Sequence, residues 1–426
     1  MRPFYACGSA EHGMSRRRFL AGSAAGLGFL GFGDIARAAG ELGRHDKRVL
    51  VIFMAGGLSQ LESWDPKPGT NTGGPFQAIP TSVAGTHISE LLPYSAGQMQ
   101  RLALVRGINT QENDHAKGAY FMQTGRRQTP AEHFPHLGSV IAKQMAPENS
   151  PLPGYIHVTP RGESGFSRGD AAFLGPRYAS VTLADGNPPP NLLRPPTLTE
   201  QADRERQDLR AGLNSRFAQT HRSADTEAYT QSYDQAAQVI ARRDLFELSR
   251  EPGHLRDKYG SHDFGRHCLL ARRMLEGGVT FVKVTHSNYD THHENFDFHI
   301  EQLGEFDRTF ATLLDDLDQR GMLESTLVVV MSEFGRTPTI NRNLGRDHWG
   351  TAWSVALAGC GIHGGSIVGR TNANGTAVVD RQVSAPHLFH TFFRALGLNP
   401  ARNHYHAGRP IPMADPQASA IQEILA

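Results

Sequence analysis

Short apolar runs closed by turn signals recur along the chain, separated by longer amphipathic or polar stretches. Lys47–Met54 (KRVLVIFM) leads into Ala55-Gly56-Gly57 and predicts a buried strand followed by a glycine turn. Leu102–Val105 and Tyr155–Val158 are further strand candidates. Thr280–Thr285 (TFVKVT), Thr326–Ser332 (TLVVVMS) and Ser354–Ala358 (SVALA) are short runs bounded by turn residues, the first two rich in β-branched positions. Phe298–Arg320 places Ile300, Leu303, Phe306, Phe310, Leu313, Leu314 and Leu317 on one helical face and acidic residues on the other. Gly321 then supplies a helix-ending signal. Strand, long helix and strand in succession make a βαβ unit, so the pattern predicts a parallel sheet. Residues 160–200 are rich in Gly and Pro, including Pro188-Pro189-Pro190, and residues 199–250 are polar with a helical pattern. The expected organisation is one α/β domain over residues 40–426, with a helical insertion at about 160–275.

The amino terminus has a different pattern. Ser15-Arg16-Arg17-Arg18-Phe19-Leu20 precedes a short apolar stretch, Phe29-Leu30-Gly31-Phe32, and a small-residue site, Ala36-Arg37-Ala38. This is the three-part plan of a secretory signal, and the paired arginines make it the twin-arginine version. The apolar stretch is too short and glycine-rich to span a bilayer, which takes about 20 residues. Residues 1–39 are therefore expected to be a signal peptide cleaved near Ala38. The twin-arginine translocase is the expected export partner, and the periplasm or the extracellular space the destination. No later segment predicts a membrane span, so the mature chain is expected to be soluble.

Composition narrows the function classes. With 39% apolar and 20% charged residues and a net charge of +1, the chain reads as globular, with no electrostatic case for nucleic acid or an anionic membrane. Three cysteines are present. Cys7 belongs to the leader, while Cys268 and Cys360 are free to pair or to stay reduced. No CxxC spacing supports a thiolate zinc site.

The 21 histidines draw attention to the segments that follow strands, because ligands bind outside the carboxyl ends of strands in open α/β sheets. After the first strand come Ser59, Gln60, Glu62, Ser63 and Asp65. After TFVKVT come His286, Asp290, His292 and His293. After TLVVVMS comes Glu333-Phe334-Gly335-Arg336, and shortly beyond it Gly345-Arg346-Asp347-His348-Trp349. Asp290 and His292 lie two apart outside regular structure, so a loop can turn both onto one ion or simply hydrogen-bond them to each other. Three such clusters at three strand ends favour a site.

The segments VLVIFMAGGLSQLESWDPKP, NDHAKGAYFMQTGRR, VKVTHSNYDTHHENF, SEFGRTPTINRNLGRDHWG and LAGCGIHGGSIVGRT resemble the exported bacterial family grouped as domain of unknown function 1501. That family is placed in the alkaline phosphatase-like superfamily, beside sulfatases and phosphomutases. The resemblance implies a doubly wound, mostly parallel sheet in an α/β/α sandwich. It also implies divalent metal, with zinc, manganese or calcium as candidates, and a phosphate or sulfate ester as substrate, including a glycan-derived one. Carried onto this chain, the implied metal ligands are Glu62, Asp290, His292, Glu333, Asp347 and His348. Ser59 is the candidate nucleophile, His115 a ligand or general acid, and Arg336 an anion clamp. A serine after a glycine turn is more often a helix cap; His115 is equally suited to sit in a loop, and Arg336 and Arg346 to brace Glu333 and Asp347. The chain departs from the superfamily pattern where Asp-His-Gly is expected, because Phe334 follows Glu333 and cannot bind a metal. No Cys-x-Pro-x-Arg sulfatase signature is present. The implied function is a metal-dependent hydrolase, and the alternative is a non-catalytic protein of the same fold that binds a glycan, an anion or a protein partner.

Overall fold

The computed structural model describes residues 46–148, 150–161, 169–187, 197–220 and 224–426. The expected signal peptide and Pro188-Pro189-Pro190 lie outside the described residues. Eight strands form the main sheet: β1 (Arg48–Met54), β2 (Leu102–Ile108), β3 (Tyr155–Thr159), β4 (Val181–Ala184), β5 (Phe281–His286), β6 (Thr326–Met331), β7 (Trp353–Gly359) and β8 (Ile367–Val368). Their order across the sheet is β8-β2-β7-β6-β1-β5-β3-β4. Neighbours run parallel except around β7, which is antiparallel to both β2 and β6.

β1 shows why the run KRVLVIFM becomes a central strand. Val49, Val51 and Phe53 point into one core, and Leu50, Ile52 and Met54 into the other. A strand apolar on both faces is stable only when both are covered. Helices α1 (His115–Thr124), α2 (Leu137–Met145) and α7 (Ala385–Ala395) contribute to the first core. Helices α5 (Asp263–Glu276) and α6 (Asn295–Gln319) contribute to the second. The result is the three-layer, mostly parallel α/β arrangement expected from the sequence. Helices α3 (Glu200–Thr220) and α4 (Ala224–Ala241) form the polar helical segment.

Two details of the pattern differ from expectation. Ile300 is 52% exposed, while the polar Gln302, Asp307, Thr309 and Asp316 of α6 are buried. Asp307 accepts from the backbone N–H groups of Tyr94 and Ser95 at 2.7 and 2.8 Å, so its carboxylate holds the first turn of the short helix Pro93–Gly97 onto α6. Within residues 160–275, β4 pairs with β3 in the main sheet and α5 packs in the second core, so part of this stretch is integral to the α/β body. Cys268 and Cys360 are free and buried in opposite cores, which excludes a bond between them.

Candidate metal centre at the strand ends

The carboxyl ends of β2, β6, β1 and β5 share one edge of the sheet, because these strands run in the same direction. β5 leads into the loop that carries Asp290 and His292. β6 leads through Ser332 to Glu333 and then into a short ribbon, Gly335–Arg336 paired antiparallel with His348–Trp349. That pairing sets Arg336 opposite His348. β2 leads to Asn113 and to His115 in the first turn of α1, which Asp114 caps by accepting from the Lys117 N–H at 2.9 Å.

β1 contributes backbone only. Gly56 and Gly57 follow it with φ of 111° and 96°, a region that favours glycine. A Cβ at Gly56 would meet the Asp290 nitrogen at 2.4 Å, and one at Gly57 would meet the Phe334 ring at 2.8 Å. The absent side chains let the Gly56 N–H donate to Glu333 Oε1 at 2.8 Å. They also let Arg336 donate to the Gly56 carbonyl and, at 3.0 Å, to the Gly57 carbonyl.

Four acceptor-bearing side chains converge over this turn. His292 Nε2 lies 3.0 Å from His348 Nε2 and 3.1 Å from Asp290 Oδ1, and His348 Nε2 lies 3.2 Å from the same oxygen. His115 Nε2 is 3.4 Å from Asp290 Oδ2, and it is buried with no hydrogen-bond partner among the described residues. Each imidazole is oriented from behind. His348 Nδ1 donates to the Asn113 carbonyl at 2.7 Å, His292 Nδ1 to Asp347 Oδ1 at 2.6 Å, and His115 Nδ1 to Glu333 Oε1 at 2.8 Å. A carbonyl and an ionised carboxylate only accept, so these contacts place the proton of each neutral ring on Nδ1. The His292 and His348 Nε2 lone pairs then face each other and one oxygen of Asp290, and the His115 Nε2 lone pair faces the other oxygen of that carboxylate. Lone pairs brought together at 3.0–3.2 Å repel unless a proton or a cation lies between them. A tetrahedral zinc with bonds of about 2.0–2.1 Å needs donors about 3.3 Å apart, close to the His292, His348 and Asp290 spacings, and the ligand atoms of His115, Asp290 and His348 all lie within 4.8 Å of one another. Rings held by carboxylates and carbonyls behind them are the usual support of histidine metal ligands.

The electrostatics agree. Burial opposes ionisation of Asp290, but the Arg336 guanidinium at 2.6 Å and His348 hold its pKa down at about 2. The hydrogen bond to Glu333 raises the His115 imidazole, whereas burial lowers that of His348. The Phe334 ring backs His115 and His348 at centroid distances of 4.9 and 4.5 Å. The residue that departs from Asp-His-Gly thus forms the apolar wall behind two histidines.

The structure distributes the remaining sequence candidates differently from expectation. Glu333 and Asp347 stand behind histidines rather than among the four converging groups. Glu62 is fully buried and paired with fully buried Arg346 at 2.8 Å. Burial alone would raise the Glu62 pKa, but Arg346 lowers it. Ser59 is also fully buried; its N–H donates to His299 Nε2 at 3.3 Å, and its carbonyl accepts from Ser63. A serine without solvent access is not placed to attack a substrate. Arg336 is fully buried too, and it donates to Gly56, Gly57, Arg346 and Asp290, so it braces the site and does not clamp an anion. Arg346 braces Glu62, not Asp347. His293 packs against Phe298 instead of joining the cluster. The sequence reading missed the Asn113 carbonyl, because backbone acceptors leave no residue signature.

The family model described as "Protein of unknown function (DUF1501)" matches residues 46–425. The chain belongs to this family. No curated protein matches it. Solved structures similar to this DUF1501 chain include a lipoteichoic acid synthase from Listeria monocytogenes, at 7% identity and a TM-score of 0.40 over 87% of this chain and 75% of that one. A sulfatase from Pseudoalteromonas sp. is 12% identical, with a TM-score of 0.39 over 85% and 72%. An alkaline phosphatase from the Antarctic bacterium TAB5 is 12% identical, with a TM-score of 0.37 over 83% and 98%. At these scores the reading of the DUF1501 site rests on its own geometry.

Proposed function

We propose that the chain is an exported hydrolase of phosphate or sulfate esters that works with a divalent metal and belongs to the alkaline phosphatase-like superfamily. The observation that carries this reading is the convergence of the His115, His292 and His348 lone pairs on Asp290, each ring aimed by its own partner. These four residues would hold the ion. When bound, such an ion polarises an ester oxygen and makes water a better nucleophile at neutral pH. The protein's part is positional. Glu333, Asp347 and Asn113 fix three tautomers, Arg336 keeps Asp290 ionised, and Phe334 shields one side of the cluster. Asp290 and His292 remain 49% and 43% exposed, so a substrate can approach from the solvent side. Because Ser59 is buried, the reading favours water over a side chain as the attacking group.

Purified mature protein, assayed with an aryl phosphate and an aryl sulfate, should release the phenol from at least one of them. His348→Ala and Asp290→Ala should lower the rate at least ~100-fold, the scale of losing a metal ligand's support. An inactive wild-type protein that still binds metal would favour the non-catalytic alternative.

A further inference from the structure

α1 carries His115 in its first turn and lines a cavity of about 710 Å³ along the rest of its length. The cavity wall begins at Ala116, the residue after His115. At a rise of about 1.5 Å per residue, Tyr120 and Gln123 lie about 8 and 12 Å along the helix from His115. The facing wall includes Glu132, Phe134, His136 and Phe173.

The polar groups here are held in fixed orientations. Gln123 is 4% exposed, and its Oε1 accepts from the buried Lys283 ammonium at 2.7 Å, leaving the amide N–H groups for another acceptor. The Tyr120 hydroxyl accepts from the Phe134 N–H at 2.8 Å and keeps its own proton to donate. Glu132 accepts from His406 Nδ1 at 3.1 Å and retains further lone pairs. His136 Nδ1 is shut off from solvent with no partner among the described residues. The Phe173 ring stacks on His406, with centroids 5.2 Å apart and planes within 13°. Among the described residues, no lysine or arginine lines the cavity.

We propose that this cavity binds an uncharged polyhydroxylated group, a sugar ring or short saccharide, and holds it beside the His–Asp cluster. The assignment as substrate rests on the hydrolase reading above; the binding itself does not. A sugar has an apolar C–H face for an aromatic ring and a rim of hydroxyls that both donate and accept. The walls offer that mixture: aromatic surface of Phe173 and Phe134, donors on Tyr120 and Gln123, and acceptors on Glu132. A cavity of this size suits a ligand of one or two rings. The Glu132 carboxylate and the lack of a lining cation disfavour an anionic occupant.

Saturation-transfer NMR on the full mature chain, with free glucose, galactose, N-acetylglucosamine and cellobiose as probes, tests this directly. At least one probe should show transfer, and the signal should fall at least fivefold in Phe173→Ala and, separately, in Glu132→Gln. Circular dichroism and metal content should match wild type in at least one of the two variants. No transfer from any probe, or full transfer retained in either variant, would overturn the proposal. Because no ester is present, the outcome is independent of turnover, and repeating the measurement after chelation separates it from metal binding.

Discussion

At the scale of single residues, the site depends on groups that aim other groups. Glu333 and Asp347 each accept a hydrogen bond from a histidine Nδ1–H, so removing their charge should loosen the ligand without deleting it. Glu333→Gln and Asp347→Asn should each weaken metal binding about 10- to 100-fold, read by titration with a metal-competing chelator. Glu62 and Arg346 obey a different rule, since both are fully buried. Glu62→Gln leaves a buried guanidinium without its counter-charge and should cost about 3–5 kcal/mol in denaturant unfolding. The sequence pointed to all of these residues but not to their separate roles. Glu62 and Asp290 look alike as carboxylates following strands, and only three-dimensional distance shows that Glu62 is sealed against Arg346 while Asp290 meets three imidazoles as well as Arg336. Asp290 with His292 stood out because polar clusters follow three separate strands; their spacing alone suits a hydrogen-bonded turn as well. His115 was harder to read, since its partner Glu333 lies 218 positions away.

At the scale of elements, the glycine turn after β1 is the part of the scaffold on which the site is built. Gly56→Ala puts a methyl group against the Asp290 backbone at a positive φ, so it should both destabilise the fold and reduce metal content. A variant that kept full stability and full metal would show that the turn does not position the loop. Central strands were legible from sequence because they are apolar on both faces, as in β1 and β6. The edge strands β4 and β8 were missed because they are short and only partly buried, which leaves a weak apolar signal. α6 was legible in extent, but its period gave the wrong side for Ile300. Its buried Asp307 and Asp316 satisfy the N–H groups of a short helix's first turn and a tyrosine hydroxyl, contacts that hydrophobic patterning does not encode.

At the scale of the molecule, stability should depend on pH through histidines kept neutral by burial. Burial holds His136 at about 3 and His404 at about 4, and lowers His157 as well. In the unfolded chain these groups take up protons near pH ~6.5. Their contribution is therefore complete above about pH 6.5 and is lost as pH falls towards the folded values, by up to about 1.4 kcal/mol per pH unit for each histidine. Denaturant midpoints measured between about pH 7.5 and 4.5 should fall accordingly, and His404→Gln should flatten the slope. The export proposed from Arg16 and Arg17 belongs to this scale too. A site drawn from four strand ends exists only after folding, which suits a route that carries folded cargo. Replacing Arg16 and Arg17 with lysine should retain the precursor in the cytoplasm, read by cell fractionation. The central claim, that His115, Asp290, His292 and His348 form a metal site, is tested most directly by elemental analysis of purified protein from metal-replete growth. The account predicts about one divalent transition metal ion per chain, reduced to near zero in Asp290→Ala. A wild-type chain without stoichiometric metal, or an Asp290→Ala chain with an undiminished amount, would contradict it.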